Sequence, residues 1–521
     1  MKCWQVITSA ALLGILALSS GSVAAAPVAA FADVHGGYDE LRALLASEQI
    51  IDGAEHWIAG DLQLISLGDL LDRGDAGRQV VELLMRLQRE AGAAGGRLAV
   101  VLGNHEIMNL TGELDYVSHG DFAQFAPDET TDMRAAAFAR MMTAGRYANM
   151  DPGAARAAFD DTFPAGYFAR MAAFAPDGVY GRWLLQQHVV LKTADTLFVH
   201  GGLPPVLATE AADSLSQRLL TETRAYATAW QALIASGAID PDTAFADRAT
   251  LATARMQAPV EQAQIDTLRA LQDSAAFGTD GPLWYRGQAL CHPAYEQDVL
   301  DAALHRQQVQ RVVVGHTVTP TRRVTARFDG RVILADTGML APVYHGRASM
   351  VHVDGAAVTV SYAGAPARVA PLDDPVMVGY RPGAMDDVEL GQNLTRAPIM
   401  TSTQLPDGRQ RVELALPSSV RIYAAAAALD ASRPWRGSGE LAAYTLDRLL
   451  DLRLVPATVR RDVDDRDSAV QYLPTRTVTH RQRQAAGDRS QGWCPLQAQY
   501  DLMMIFDALI GMPARDPDWI S

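Results

Sequence analysis

The sequence predicts an α/β fold: a buried sheet fed by βαβα units, a more antiparallel sheet packed on it, and a smaller α+β unit at the carboxyl end. Three observations predict it. Short aliphatic runs alternate with stretches of helical periodicity; each run stops at Gly or at a residue able to ligate a metal; and two Asp-Gly pairs punctuate the later runs.

Residues 1–26 carry one charge at Lys2, an apolar stretch from Ala10 to Leu18 and then small residues ending in Ala24-Ala25-Ala26. This reads as a secretory signal peptide, too short to span a bilayer, so a periplasmic or secreted product is the expectation. No later stretch is long and apolar enough for a transmembrane helix. The aliphatic runs are Val28–Ala32, Leu62–Leu67, Leu98–Leu102, Leu197–Val199 and Val312–Val314. Between the first three lie helices, marked by Leu41, Leu44 and Leu45 and by Val80, Leu83, Leu84 and Leu87 at i, i+3 and i+4 spacing. In such an arrangement functional residues gather at the carboxyl ends of the strands.

Asp329-Gly330 separates Val324–Phe328 from Arg331–Leu334, and Asp354-Gly355 separates Met350–Val353 from Val358–Tyr362. Both read as hairpins with tight primed turns, and together as the second, more antiparallel sheet. Two long insertions, 107–196 and 204–283, have helical spacing, as in Met133, Ala137, Phe138, Met141 and Met142. They read either as helices that enlarge the core or as a cap at the site that restricts substrates. From residue 366 to 521 the pattern changes: strand-like stretches flank Asp407-Gly408, an amphipathic helix spans Glu440–Leu450, Leu454-Val455-Pro456 leads into a strand, and an apolar helix covers Asp501–Ile510.

A chain of 521 residues, 49% hydrophobic, suits two domains, here 27–365 and 366–521. A net charge of -15 excludes a nucleic-acid partner, which would need a basic surface. Lys2 and Lys192 are the only lysines, a compositional bias toward arginine. Beyond the signal, Cys291 and Cys494 are left; they suit one disulfide in an oxidising compartment or two free thiols, and no CxxC spacing supports a zinc site on them.

Five motifs close these runs: Asp33-Val34-His35, Gly68-Asp69-Leu70-Leu71-Asp72-Arg73-Gly74, Gly103-Asn104-His105-Glu106, His200-Gly201-Gly202 and Gly315-His316-Thr317. Carboxylate, imidazole and carboxamide groups in this order are the donors that two divalent ions need to hydrolyse a phosphoester. The set resembles the calcineurin-like metallophosphoesterases, and Asp72-Arg73-Gly74 with the Glu after Gly103-Asn104-His105 resembles their phosphoprotein phosphatase branch. Longer strings are similar to the bacterial Shewanella-like phosphatases: Gly103 to Asn109 with Leu110-Thr111-Gly112, Gly281-Pro282-Leu283-Trp284-Tyr285-Arg286-Gly287, and Asp336-Thr337-Gly338. The likeness covers about 27 to 365. One departure is Gly37, where an acidic residue or Asn often follows the first Gly of that motif.

The resemblance implies a four-layer αββα sandwich with helical insertions. It also implies that Asp33 and His35 hold a first metal, that Asp69 bridges, and that Asn104, His200 and His316 hold a second, the ions being Mn, Fe or Zn. They would share an activated water, with His105 as general acid oriented by Asp72. Arg73 and Arg286 would grip phosphate oxygens, because a guanidinium bonds oxyanions bidentately. The other histidines, His56, His119, His188, His292, His305, His345, His352 and His480, lack ligand spacing and read as structural or surface residues.

The expected substrate is a phosphoprotein, with phosphotyrosine the favoured phosphoresidue, or a small phosphomonoester. The alternatives are a nucleotide or dinucleoside polyphosphate hydrolase and a non-enzymatic sensor of phosphate ligands. The carboxyl-terminal third resembles secretory-kinase-like and HipA-like kinase folds. No lysine follows Lys192, and Met512 and Ala514 stand where such a catalytic loop has Asn and Asp. That implies a domain inactive as a kinase, either a remnant binding a regulatory partner or a structural appendage.

Overall fold

The computed structural model describes residues 28–512 apart from 257, 374–386, 417–420, 431, 433–436, 475–479 and 488–493. The expected signal peptide and Ala514 lie outside the described residues. Two six-stranded sheets carry the amino-terminal body. Strands Val28–Phe31 (β1), Gln63–Ser66 (β2) and Arg97–Val100 (β3) are parallel, with Val28 beside Gln63 and Gln63 beside Arg97. Val190–Lys192 (β4), Thr196–Val199 (β5), Arg311–Val314 (β6), Thr325–Arg327 (β7) and Val332–Leu334 (β8) enter the other sheet. Ser349–Asp354 (β9), Ala357–Tyr362 (β10) and Ala365–Val369 (β11) return to the first, and Leu372–Asp373 (β12) ends the second. The orders are β11-β10-β9-β1-β2-β3 and β12-β7-β8-β6-β5-β4.

Strands β1, β2, β3, β5 and β6 bury both faces over nearly their whole length, which is why each reads as a short aliphatic run. Ala30, Ile65, Phe198, Val313 and Ile333 fill the space between the sheets, while their neighbours Ala29, Phe31, Leu64, Val199 and Val312 pack outward. Leu41, Leu44 and Leu45, with Val80, Leu83, Leu84 and Leu87, belong to the helices Tyr38–Ser47 and Gly77–Ala93, which share the outward core. Leu300 and Leu304, in the helix Pro293–Gln307, lie in that core too. Helix, sheet, sheet and helix follow one another as the four layers of the expected sandwich.

The partition of strands departs from expectation. The β5 and β6 runs do not join β1, β2 and β3, and the two hairpins do not share a sheet: β9–β10 docks antiparallel on β1, and β7–β8 docks beside β6. The turns themselves are as read, with positive φ at Asp329 and Gly330 in one and at Gly355 in the other. Turn chemistry fixes a hairpin's own pairing and says nothing of the sheet edge it joins. The boundary expected at 365 also falls inside a sheet, since β11 and β12 carry the first body to Asp373.

The insertions are helical. The first runs through Thr131–Thr143, Pro152–Thr162 and Tyr167–Ala173 and then supplies β4; the second is dominated by the helix Ala212–Ser236 and by Pro259–Leu271. Each has an apolar cluster of its own, around Phe159, Phe163 and Phe168 and around Tyr226, Trp230 and Leu233. In the carboxyl-terminal part, Ile399–Gln404 (β13), Gln410–Ala415 (β14), Arg421–Ala428 (β15), Thr458–Val463 (β16) and Arg466–Leu473 (β17) form one antiparallel sheet. Its order is β13-β14-β15-β17-β16, and the helix Ser438–Leu449 joins β15 to β16. Cys291 and Cys494 are joined in a disulfide across 203 residues. Among the described residues no helix is long and apolar enough to cross a membrane.

Candidate functional site

Five loops leave the carboxyl ends of β1, β2, β3, β5 and β6 and bring the six expected metal ligands together. Asp33, His35, Asp69, Asn104, His200 and His316 are all at most 7% exposed. Four of them, Asp33, His35, Asp69 and His316, have positive φ, so the chain turns sharply where each strand ends. Cross-links between loops hold these turns. His35 N–H donates to Asp69 O at 2.8 Å, and His316 N–H donates to both carboxylate oxygens of Asp33 at 3.1 and 3.0 Å.

Glu106 does most of this bracing. Its carboxylate accepts the N–H groups of Asp69 (2.8 Å), Leu70 (2.8 Å) and Gly103 (2.7 Å), tying the β2 loop to the start of the helix Asn104–Thr111. Gly68, at φ 88°, sits so close to this junction that a Cβ there would overlap the Gly103 backbone nitrogen. Gly68→Ala is therefore expected to spread the two loops and weaken divalent-metal binding by about 10–100-fold, the range found when groups behind metal ligands are disturbed. Isothermal titration with Mn would measure it, and wild-type affinity in the variant would contradict this account of the junction.

The imidazoles are oriented by the bonds their far nitrogens make. His35 donates Nδ1–H to Leu71 O (3.1 Å) and His200 donates Nδ1–H to Leu67 O (2.7 Å), so in the neutral ring Nε2 of each is the free lone pair. His200 Nε2 faces two oxygens, Asn104 Oδ1 at 3.1 Å and Asp69 Oδ1 at 3.2 Å. His316 Nε2 is buried and has no hydrogen-bond partner among the described residues. Burial pushes the His35 pKa down to about 4 and holds His316 well below its usual value, so both are neutral and ready to ligate. Burial, with Asp336 and Asp69 nearby, raises the Asp33 carboxyl instead.

Imidazole nitrogens and carboxylate and carboxamide oxygens thus converge, an arrangement that a cation completes. The donor atoms of His35, Asp69 and His105, and those of Asp69, His200 and His316, each lie within 4.8 Å of one another. Asp69 belongs to both sets. Asp33 belongs to neither, and His105 stands in the first set although the sequence assigns it to proton transfer. His105 gives Nδ1–H to Asp72 Oδ2 at 2.5 Å, with its Nε2 3.9 Å from Asp69 Oδ2. Burial pushes the His105 pKa down, but Asp69 and Asp72 outweigh it and the net shift is upward.

Arg73 and Arg286 lie beside the centre. The exposed Arg73 guanidinium lies 4.9 Å from the Tyr116 ring and 5.6 Å from the Tyr344 ring, and no carboxylate pairs with it among the described residues. Arg286 is anchored by Nη1 bonds to His316 O (3.0 Å) and Thr317 Oγ1 (2.8 Å). Sequence reasoning did not single out Tyr116, Tyr344 or Asp336. Tyr116 arrives from the first insertion and Tyr344 from the short helix Ala341–Tyr344; Asp336 is fully buried beside Asp33. Only Asp336 carried a signal, as part of Asp336-Thr337-Gly338. Several of the histidines set aside have structural partners: His56 meets Glu90, His352 meets Ser361 and Glu48, and His292 contacts Asp451 O.

The chain is similar to several known proteins. Shewanella-like protein phosphatase 2 of Arabidopsis thaliana is 31% identical over 196 residues, 33% of this chain and 46% of that protein, so the match spans less than half of that relative's length. Shewanella-like protein phosphatase 1 of Plasmodium berghei is 22% identical over 318 residues, 60% of this chain and 67% of that one. Among solved structures, the cold-active protein-tyrosine phosphatase of a psychrophile Shewanella sp. aligns with a TM-score of 0.42 at 24% identity, covering 67% of this chain and 80% of its own. The calcineurin-like phosphoesterase family model matches residues 26–320, which take in all five motifs and more than half of the sequence, so the chain belongs to the calcineurin-like phosphoesterase family.

Proposed function

We propose that this phosphoesterase is a dinuclear phosphomonoester hydrolase acting on phosphoproteins, with phosphotyrosine preferred. The observation that carries it is Asp69, whose carboxylate is common to two buried donor sets. Asp33, His35 and Asp69 would hold one ion and Asp69, Asn104, His200 and His316 the other. Their mixed nitrogen and oxygen donors suit Mn, Fe or Zn. When bound, two such ions activate a water for in-line attack and neutralise phosphoryl oxygens.

The chain's own groups do the rest. Arg73 keeps its N–H donors free of carboxylates, so they are available to an oxyanion, and two tyrosine rings hold the guanidinium in place. Arg286, fixed by its bonds to His316 and Thr317, adds charge beside Asp33 and Asp69. His105 keeps a proton for the leaving oxygen because Asp72 accepts from Nδ1 and favours the imidazolium. Tyr116 stands next to that acid, ring centroids 5.3 Å apart, and is 47% exposed. A half-exposed aromatic ring beside the proton donor supports an aryl ester on a protein surface. The phosphatase names of the relatives support the same class.

The test is hydrolysis by metal-free protein reconstituted with manganese, comparing a phosphotyrosine peptide, a phosphoserine peptide and a dinucleoside polyphosphate. Fastest turnover of the phosphotyrosine peptide is expected. Preference for the dinucleotide would move the assignment to nucleotide hydrolysis, and no turnover at all would point to a phosphate-ligand sensor. Export to the periplasm or medium is part of the proposal, supported by the Lys2, Ala10–Leu18 and Ala24–Ala26 pattern and by the disulfide. The carboxyl-terminal sheet is proposed to be non-catalytic, its β15 strand carrying alanines from 424 to 428 and no lysine.

A further inference from the structure

Behind the His105–Asp72 pair lies a chain of buried polar groups that ends in the first insertion. Asp72 Oδ1 accepts from Asn109 Nδ2 at 2.9 Å, and the same Nδ2 donates to His105 O at 2.8 Å. Asn109 Oδ1 accepts from Arg170 Nη1 at 2.5 Å, and Arg170 Nε donates to Asp121 Oδ2 at 2.8 Å. Arg170 lies in the helix Tyr167–Ala173, 61 residues beyond Asn109. It is 0% exposed, as are Asp72 and Asp121, and its guanidinium sits 4.6 Å from the Phe174 ring.

We propose that Arg170 is a positioning residue for the proton-donating pair, acting through Asn109 to fix Asp72. An amide has two orientations. Turned over, Asn109 would set its NH2 against the guanidinium and its oxygen against the Asp72 carboxylate, and both contacts would be repulsive. With Arg170 present, only the observed orientation is stable, and it occupies Asp72 Oδ1 so that Oδ2 stays on His105 Nδ1. A guanidinium there only to neutralise Asp121 would need neither Asn109 nor Asp72. Yet Nη1 is spent on Asn109, and Nη2 lies 3.9 Å from Asp72 Oδ1 with no hydrogen bond of its own among the described residues. The insertion thereby braces the proton donor from behind, in addition to lending Tyr116 to the rim.

This inference rests on the reading of His105 as general acid, and the experiment separates the two. Full-length manganese-loaded protein and the variants Arg170→Met, Arg170→Lys, Asn109→Leu and His105→Ala would be assayed on phenyl phosphate and on 2,4-dinitrophenyl phosphate. The first leaving group needs a proton and the second does not. For Arg170→Met and Asn109→Leu, kcat on phenyl phosphate is expected to fall about 10–100-fold, as for other groups acting one step behind the reacting ones, while kcat on the dinitrophenyl ester holds. Arg170→Lys, which keeps the charge but only one of the contacts, should fall between. Equal losses on both esters, or no loss, in Asn109→Leu and Arg170→Lys would overturn the positioning role even if Arg170→Met fails to fold. If His105→Ala itself does not distinguish the esters, the general-acid reading fails, and this inference with it.

Discussion

Asp69→Asn is expected to lower kcat by about a thousandfold and to reduce the metal content below that of the wild type. The substitution is nearly isosteric, and the backbone of Asp69 is held independently of its side chain, by Glu106 at N–H and by His35 at the carbonyl. The fold and the loop junction should therefore survive. The loss falls on the one carboxylate that both donor sets share. A carboxamide offers a neutral oxygen and an N–H donor, and that donor would be turned toward one of two cations. Stabilisation by bound metal is worth several kcal/mol of barrier, and about 4 kcal/mol corresponds to the thousandfold loss at 1.4 kcal/mol per factor of ten. Metal analysis after equilibrium dialysis, with kcat on the preferred substrate, checks both halves. A variant with full metal content and a rate within tenfold of wild type would remove the shared carboxylate from the centre of the account.

The sequence made this site legible because its residues end strands. A ligand at the carboxyl end of an aliphatic run is a local pattern, visible in a few consecutive residues: Val313-Val314-Gly315-His316, or Ser66-Leu67-Gly68-Asp69. The strands were legible for the same reason, since a run buried on both faces needs no alternation. What was not legible depended on distance. Whether β5 stands beside β3 or in another sheet depends on which faces the two sheets present to each other, and Phe198 shows its place only once it is packed against Ile65 and Val313. Arg170 looks like an ordinary polar residue of a short helix until folding brings Asn109 and Asp121 to it. The disulfide is similar, for spacing across 203 residues carries no information about pairing. Tyr116 and Tyr344 lack even a motif, because a ring under a guanidinium can come from any loop that passes by.

His105→Ala is expected to lower kcat by about 10²–10⁴-fold, the range for loss of a positioned general acid, while binding as much metal as the wild type. The second half decides the role. His105 Nε2 lies near enough to His35 and Asp69 to count among metal donors, and an imidazole cannot both ligate through Nε2 and deliver a proton from it. Two observations support the acid role proposed for His105. Asp72, itself fully buried, accepts from Nδ1 at 2.5 Å and stabilises the protonated ring, whereas His35 and His200 give Nδ1–H to neutral carbonyl oxygens, which add no charge to favour an imidazolium. The carboxylates around His105 also raise its pKa, while burial lowers those of His35 and His316. If His105 were a ligand, its removal would cost metal, and excess manganese would restore part of the rate. If it is the acid, excess manganese changes nothing, and added imidazole, small enough to enter the space left by the ring, recovers activity on phenyl phosphate in proportion to its concentration.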